Sequence, residues 1–297
     1  MLATYSIPKK YKQLLKLLLK LVITACCIWY ISFKIDITKV EEVLPVANVY
    51  WIAGAVAAFI ISKILSSFRL NIYFRHIGIY LSEWKNLQLY WLGMFYNLFL
   101  PGSISGDAYK VIRLSKEYSI DYKKTTAAVL LDRFSGLLAL GILMAVSWIL
   151  LFNMQYYSWQ VLSAAVIAVP LLYYTVRLFF AYLLPAFWPT FVWGVGVQLL
   201  QVVTMFCILK ALHIEVHLFQ YILIFLVSSV VAVMPFTIGG LGAREMVFLW
   251  GATFFHLDNT ISVVASGLFY FTTVLSSSFG LPYVFLDPLK QKQAQPV

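Results

Sequence analysis

The sequence predicts an all-α polytopic membrane protein of about six full spans plus two opposed re-entrant hairpins in an inverted repeat. Three observations predict this fold. Of 297 residues, 62% are hydrophobic and 11% charged, with mean hydropathy +0.86. A soluble domain carries about 25% charged residues, and this chain lacks the polar side chains to cover a water-facing surface. Apolar runs near the roughly 20 residues needed to cross a bilayer core recur along it. Finally, Lys and Arg cluster in alternate connecting segments. Composition thus excludes soluble enzymes, nucleic-acid binders and disordered tails. The 22 Lys and Arg against 12 Asp and Glu are a positive-inside signal rather than a nucleic-acid footprint.

The chain 1–297 is read as one integral membrane domain. Its first span is 13–33, entered through Lys9, Lys10, Lys12, Lys16 and Lys20. The last three recur every four residues and share a face, from which they snorkel to the headgroups. No small-residue cleavage pattern follows Phe33, so a retained anchor is expected rather than a signal peptide. Further full spans are 46–68, 125–152, 158–180, 186–209 and 260–286. Lys63 falls near the end of 46–68 and is expected to snorkel.

Two runs are too short or too interrupted: 86–101, stopping at Pro101-Gly102, and 218–235, stopping at Pro235 before Gly239-Gly240. Charge decides their path. Arg69, Arg75 and Lys85 precede the first run, and Lys110, Arg113, Lys116, Lys123 and Lys124 follow it. Only a run that dips in and returns puts both basic stretches on one side. Treating 218–235 and 241–256 alike leaves both termini inside. Only Lys34, Lys39, Lys210 and Arg244 then lie outside, with Lys63 and Arg133 within spans.

The same order occurs twice, in 46–152 and in 186–286: a span, a short polar loop, a broken hairpin, a long span. His76-Ile77 corresponds to His213-Ile214, Leu81 to Leu218, and the break ending at Gly106 to the break ending at Gly240. Lys110 corresponds to Arg244, and Thr125 to Thr260. One connecting span, 158–180, separates the units, so the second is inverted. Inverted repeats with discontinuous helices are how many transporters build a midplane site.

Asp132-Arg133 is the sharpest chemical feature, two turns inside a span. Each charge costs about 2.5–3.5 kcal/mol at a helix centre on insertion scales. Neighbours on a helix point about 100° apart, so each needs a partner elsewhere or a hydrated cavity. A substrate site and an interhelical clamp, or snorkelling by Arg133, both fit. In the first hairpin, Gly102 and Gly106 permit a sharp turn, and Ser105 or Asp107 is placed to cap a helix over 108–117. Lys110 and Arg113, three apart, then share a face near the positive end of that helix. This is a seat for phosphate, or a face for anionic lipid. In the second hairpin, Gly239, Gly240 and Gly242 precede Arg244-Glu245. Arg244 is the one cation between Leu218 and Pro288; Glu245 is its available ion-pair partner. Gln198 and Gln201 are read as interhelical glue.

Cys26, Cys27 and Cys207 lie in apolar runs without metal-ligand spacing. No Ser-His-Asp, HExxH, GxSxG, P-loop or paired-acid motif appears. No catalytic residue, metal or cofactor is assigned.

The run Asn97-Leu-Phe-Leu-Pro101-Gly-Ser-Ile-Ser-Gly106-Asp107 with Lys110 and Arg113, then Leu131-Asp132-Arg133, then Pro235-Phe-Thr-Ile-Gly239-Gly240-Leu-Gly242-Ala-Arg244-Glu245, resembles the lysylphosphatidylglycerol synthase transmembrane region, or flippase-like domain, family. The likeness covers roughly 14–286. The family usually shows Glu-Arg where Asp132-Arg133 stands and a second glycine where Ser105 stands. The resemblance implies a multi-pass protein of the inner membrane whose relatives are proposed to move lipids between leaflets. Some relatives fuse this region to a soluble aminoacyl-transfer domain. The chain ends eleven residues past the last predicted span, so lipid aminoacylation is not expected of it.

The function expected is translocation of an anionic phospholipid or polyprenyl-phosphate-linked lipid, with Asp107, Lys110, Arg113, Asp132, Arg133, Arg244 and Glu245 at the substrate. Alternatives are a membrane-embedded transferase using Asp107 or Asp132, and a non-transporting accessory subunit. Expected partners are membrane lipids and a lipid- or glycan-modifying enzyme, not nucleic acid. The sequence is silent on oligomeric state.

Overall fold

A computed structural model describes residues 18, 21–22, 25–34, 36–99, 105–155, 157–234, 237 and 240–289. Every regular element among them is helical. The predicted first span, with its lysines, lies largely outside the described residues. Within it, residues 25–32 are helical, and Ile31 packs against Leu249 and Val263.

Helix α1 (Ile37–Val46) starts where the Asp36 carboxylate accepts from the Thr38 and Lys39 N–H groups. Helix α2 (Val49–His76) starts at Asn48, whose side chain accepts from Tyr50 and Trp51 N–H. These caps occupy amides that have no partner inside the helix. Next come α3 (Glu83–Phe99), α4 (Ser105–Glu117) and α5 (Tyr122–Phe152, capped by Asp121). Helix α6 (Ser158–Phe179) leads through a 3-10 turn (Ala181–Ala186) into α7 (Phe187–Ala211). Then follow α8 (Leu218–Val233), α9 (Ala243–Phe254), α10 (Asn259–Ser278, capped by Asp258) and the short α11 (Pro282–Phe285).

Five segments are long and apolar enough to cross a membrane: Val49–His76, Tyr122–Phe152, Ser158–Phe179, Ala181–Ala211 and Asn259–Phe285. Each overlaps a predicted full span. With 17 and 16 residues, α3 and α8 fall short. Each instead folds against the helix that follows its break, α3 on α4 and α8 on α9.

Two ends differ from expectation. The predicted 46–68 span continues to His76, because Arg69 is buried against a carboxylate and does not end the helix. The predicted 260–286 span breaks at Phe279–Leu281. There a Cβ on Gly280 would sit 2.3 Å from the Trp91 carbonyl oxygen, so the chain turns against α3.

The most extensive helix pair is α2 with α7. These two helices carry the same C-terminal turn. Ile79 N–H donates to the Phe74 carbonyl as Ile214 N–H donates to that of Leu209, each at 2.9 Å. The residue before each isoleucine, Gly78 or His213, has positive φ. The structure thus matches Gly78-Ile79, not His76-Ile77, with His213-Ile214. Phe59, Phe225, Phe248 and Phe269 centre one core among α2, α8, α9 and α10; Leu70, Phe74, Leu114 and Leu131 centre another among α2, α4 and α5. Helix α6 buries only Ser158 and Val176, and its largely apolar surface, with Gln160 and Arg177 toward its two ends, suits lipid.

Candidate functional site, a cationic cavity between the broken helices

The first break positions its residues by backbone contact. A Cβ on Gly106 would lie 1.9 Å from the Gly93 carbonyl oxygen, so α3 and α4 cross where neither helix has room for a side chain. The cap comes from the other arm rather than from Ser105 or Asp107. Gly106 N–H donates to Asn97 Oδ1 at 2.8 Å, and the Ser105 hydroxyl donates to the Tyr96 carbonyl. Helix α4 therefore starts at Ser105, not at 108.

With the cap supplied by α3, the Asp107 carboxylate is free to bind cations. Lys110 Nζ lies 3.1 Å from Asp107 Oδ1 and over the Tyr90 ring, 4.7 Å from its centroid. The Arg133 guanidinium binds the other oxygen, Oδ2. Lys110 and Asp107 are buried, whereas the Arg133 side chain keeps a third of its surface open. Arg113 does not join them. It pairs with Glu117 on its own helix and with Asp287 near the chain's end. The two cations of the expected Lys110–Arg113 phosphate seat thus belong to separate sets of ion pairs.

Asp132 and Arg133 also part company, as adjacent helical residues must. Asp132 turns inward to Arg69 of α2, with Arg69 Nε donating to Oδ1 at 2.7 Å. Arg69 is 5% exposed and Asp132 7%. The guanidinium lies between α5 and α7, where a Cβ at Gly136 would be 2.9 Å from Nη1 and one at Gly194 3.5 Å away. Sequence reasoning placed Arg69 in a cytoplasmic loop. The signal that finds it is the spacing Ser62, Ser66, Arg69, Tyr73: steps of four, three and four keep these residues on one face. All four are buried.

At the second break, Gly240 and Gly242 have φ of +84° and +83°, a conformation that favours glycine. Glu245 does not hold Arg244. Its carboxylate accepts from Gly242 N–H at 2.7 Å and from the Ser266 hydroxyl at 3.0 Å. Arg244 stacks on Phe269, 4.6 Å from the ring centroid, and its Nη1 donates to Ser229 Oγ at 3.4 Å. Pro101, Gly102, Pro235 and Gly239 lie outside the described residues.

Arg133 and Arg244 face one cavity of about 320 Å3, together with Lys63. Lys63 does not snorkel. It lies mid-helix in α2 with its ammonium 4.4 Å from the Phe59 ring centroid. Both broken pairs contribute to the wall, Asn97 and Leu98 from the first, Ser229 and Arg244 from the second. Gln198 and Gln201 line it from α7, and Gln198 also donates to the Gly136 carbonyl at 3.1 Å. Among the described residues, no carboxylate lines this cavity. Two arginines, a lysine and neutral amides thus give the wall an excess of positive charge, even with Asp107 bound to Arg133 from outside it. Among the described residues, no group of three His, Cys, Asp or Glu is placed to hold a metal.

No curated protein matches the chain. The sequence model described as "Lysylphosphatidylglycerol synthase TM region" matches residues 17–187 and 182–279. Those two stretches contain both broken helix pairs and every cation of the cavity wall, and the chain therefore belongs to the lysylphosphatidylglycerol synthase TM region family.

Proposed function

We propose that this multi-pass membrane protein is a lipid translocase. It moves an anionic phospholipid or polyprenyl-phosphate-linked lipid between the leaflets of the inner membrane, with both its own termini cytoplasmic. The observation that carries this reading is the cavity of about 320 Å3 that holds Lys63, Arg133 and Arg244 and no acid. The headgroup enters this cavity while the tails stay in lipid, which removes most of the hydrophobic cost of crossing.

The two broken helix pairs are read as opposed re-entrant hairpins of an inverted repeat, one dipping in from each side. Irregular backbone at membrane depth is tolerated where it is buried in protein or lines a wet cavity. Both pairs do contribute to this cavity wall. Rocking of the two halves about it gives alternating access. Movement is downhill, ion-coupled or driven by a partner, for which a lipid- or glycan-modifying enzyme is the natural candidate. A transferase is the weaker reading, because the carboxylates it would use, Asp107 and Asp132, are both bound by cations.

The test is leaflet exchange of a labelled anionic phospholipid in liposomes, comparing the wild type with Arg133→Ala and Arg244→Ala. Exchange lost in both variants, with both folded, supports the reading. Undiminished exchange in both sinks the residue assignment. Absence of exchange by folded wild-type protein sinks translocation of that lipid and favours the accessory role.

A further inference from the structure

Two cations of the cavity wall meet no carboxylate. All 12 side-chain carboxylates of the chain fall among the described residues, and none pairs with Lys63 or Arg244. Those nearby are taken: Asp132 by Arg69, Asp107 by Lys110 and Arg133, Glu245 by Gly242 and Ser266. The rest cap helices, pair with other cations or stand exposed on α1. Lys63 and Arg244 have instead the Phe59 and Phe269 rings and the Ser229 hydroxyl. Ring faces and hydroxyls lower the energy of a desolvated cation without neutralising it.

Arg133 adds to the imbalance, because its one counter-charge, Asp107, is shared with Lys110. The three wall cations come from three different helices, α2, α5 and α9, and converge on one space. Neutral donors, the amides of Asn97, Gln198 and Gln201, stand among them. One negative charge leaves this wall under-compensated.

We infer that the site selects a lipid whose headgroup carries two negative charges in one compact group, a phosphomonoester or a pyrophosphate ester, over a singly charged phosphodiester. This rests on the translocase reading for the lipid, and on the charge inventory for the selectivity. A phosphomonoester carries about −1.5 to −2 at pH 7, on three strong acceptor oxygens. Three oxygens on one centre match three cations approaching from three sides. A phosphodiester offers one charge over two free oxygens.

The test holds the tails constant. Short-chain phosphatidic acid and phosphatidylglycerol with identical acyl groups are titrated into the detergent-solubilised protein at pH 8, with inorganic phosphate as a third ligand. The expected result is phosphatidic acid binding about tenfold tighter than phosphatidylglycerol. Lys63→Gln should bring the two within about twofold of each other, while Lys63→Arg keeps the preference. Equal affinities in the wild type, or binding of neither lipid, overturn the inference. Inorganic phosphate binding as tightly as phosphatidic acid overturns the lipid assignment and makes the ligand a soluble anion. Leaflet exchange of phosphatidic acid, measured separately, decides the translocase reading. Preference without exchange would strike the function and leave the selectivity standing.

Discussion

Arg69 and Asp132, 63 residues apart in sequence, meet through a 2.7 Å hydrogen bond between the arginine Nε and a carboxylate oxygen. The pair pins α2 to α5. Breaking a buried ion pair from one side leaves an orphan charge and costs about 3–5 kcal/mol, while replacing both partners by apolar residues is near neutral. Arg69→Met and Asp132→Leu should each sharply lower the thermal midpoint of the detergent-solubilised protein. The double variant should recover most of that loss. If the double variant is as unstable as the two single losses combined, the pair is not coupled.

The Gly93–Gly106 crossing predicts a severe effect from the smallest possible change. Gly106→Ala puts a methyl 1.9 Å from the Gly93 carbonyl oxygen, which forces α3 and α4 apart and withdraws the Asn97 cap. Gly267→Ala meets nothing within 4 Å and should be neutral or stabilising by up to about 1 kcal/mol, the helix-propensity difference. Monodisperse yield by size-exclusion chromatography reads both. A well-behaved Gly106→Ala protein would contradict the crossing.

Arg244 predicts a trade between function and stability. A desolvated cation with an aromatic ring and a hydroxyl for neighbours is a destabilising element of the folded protein. Arg244→Gln should raise the thermal midpoint while abolishing leaflet exchange. A lowered midpoint would instead make Arg244 a structural clamp.

The contact between α1 and the start of α10 sets a pH dependence. Burial favours the neutral Asp258 carboxyl, but the Ile261 N–H and the Lys39 ammonium outweigh it and hold the group below its ordinary 3.8. The hydrogen bond to Asp258 in turn raises Lys39 above its ordinary 10.5. A depressed carboxyl stabilises the fold above its unfolded pKa, and this contribution fades as pH falls through 3.8 and below. A raised lysine stabilises below 10.5 and fades above it. The pair thus contributes evenly between these limits. Asp258→Asn, which keeps the cap, should be less stable than wild type at pH 7, and the difference should shrink as pH falls below 3.8. A constant difference across that range would show that charge is not the cause.

The transmembrane class, the two breaks and the placing of Asp132, Arg133 and Arg244 inside the helical bundle are legible because each is a local violation of a general rule: charge or glycine where an apolar helix should run. Pairing was not legible. Asp132 announces the need for a partner, but a charge such as Arg69 reads as the end of an apolar helix, which hides that the helix runs on to His76. Lys63 is obscured for the same reason: near a supposed helix end it would snorkel, whereas near the middle of a 28-residue helix it lines a cavity. Spacing alone groups Lys110 with Arg113, and spacing does not reveal that Asp287, 174 residues on, draws Arg113 away.

Asp107 touches both Lys110 and Arg133, so on the translocase reading proposed above Arg133 already holds an anion before any guest arrives, and a guest must displace that carboxylate rather than fill a bare socket. The displaced carboxylate is not stranded, since Lys110 keeps hold of it. Occupancy at Arg133 is then an exchange between a tethered anion and a travelling one. The tethered one is always waiting to return, which limits how long the traveller stays.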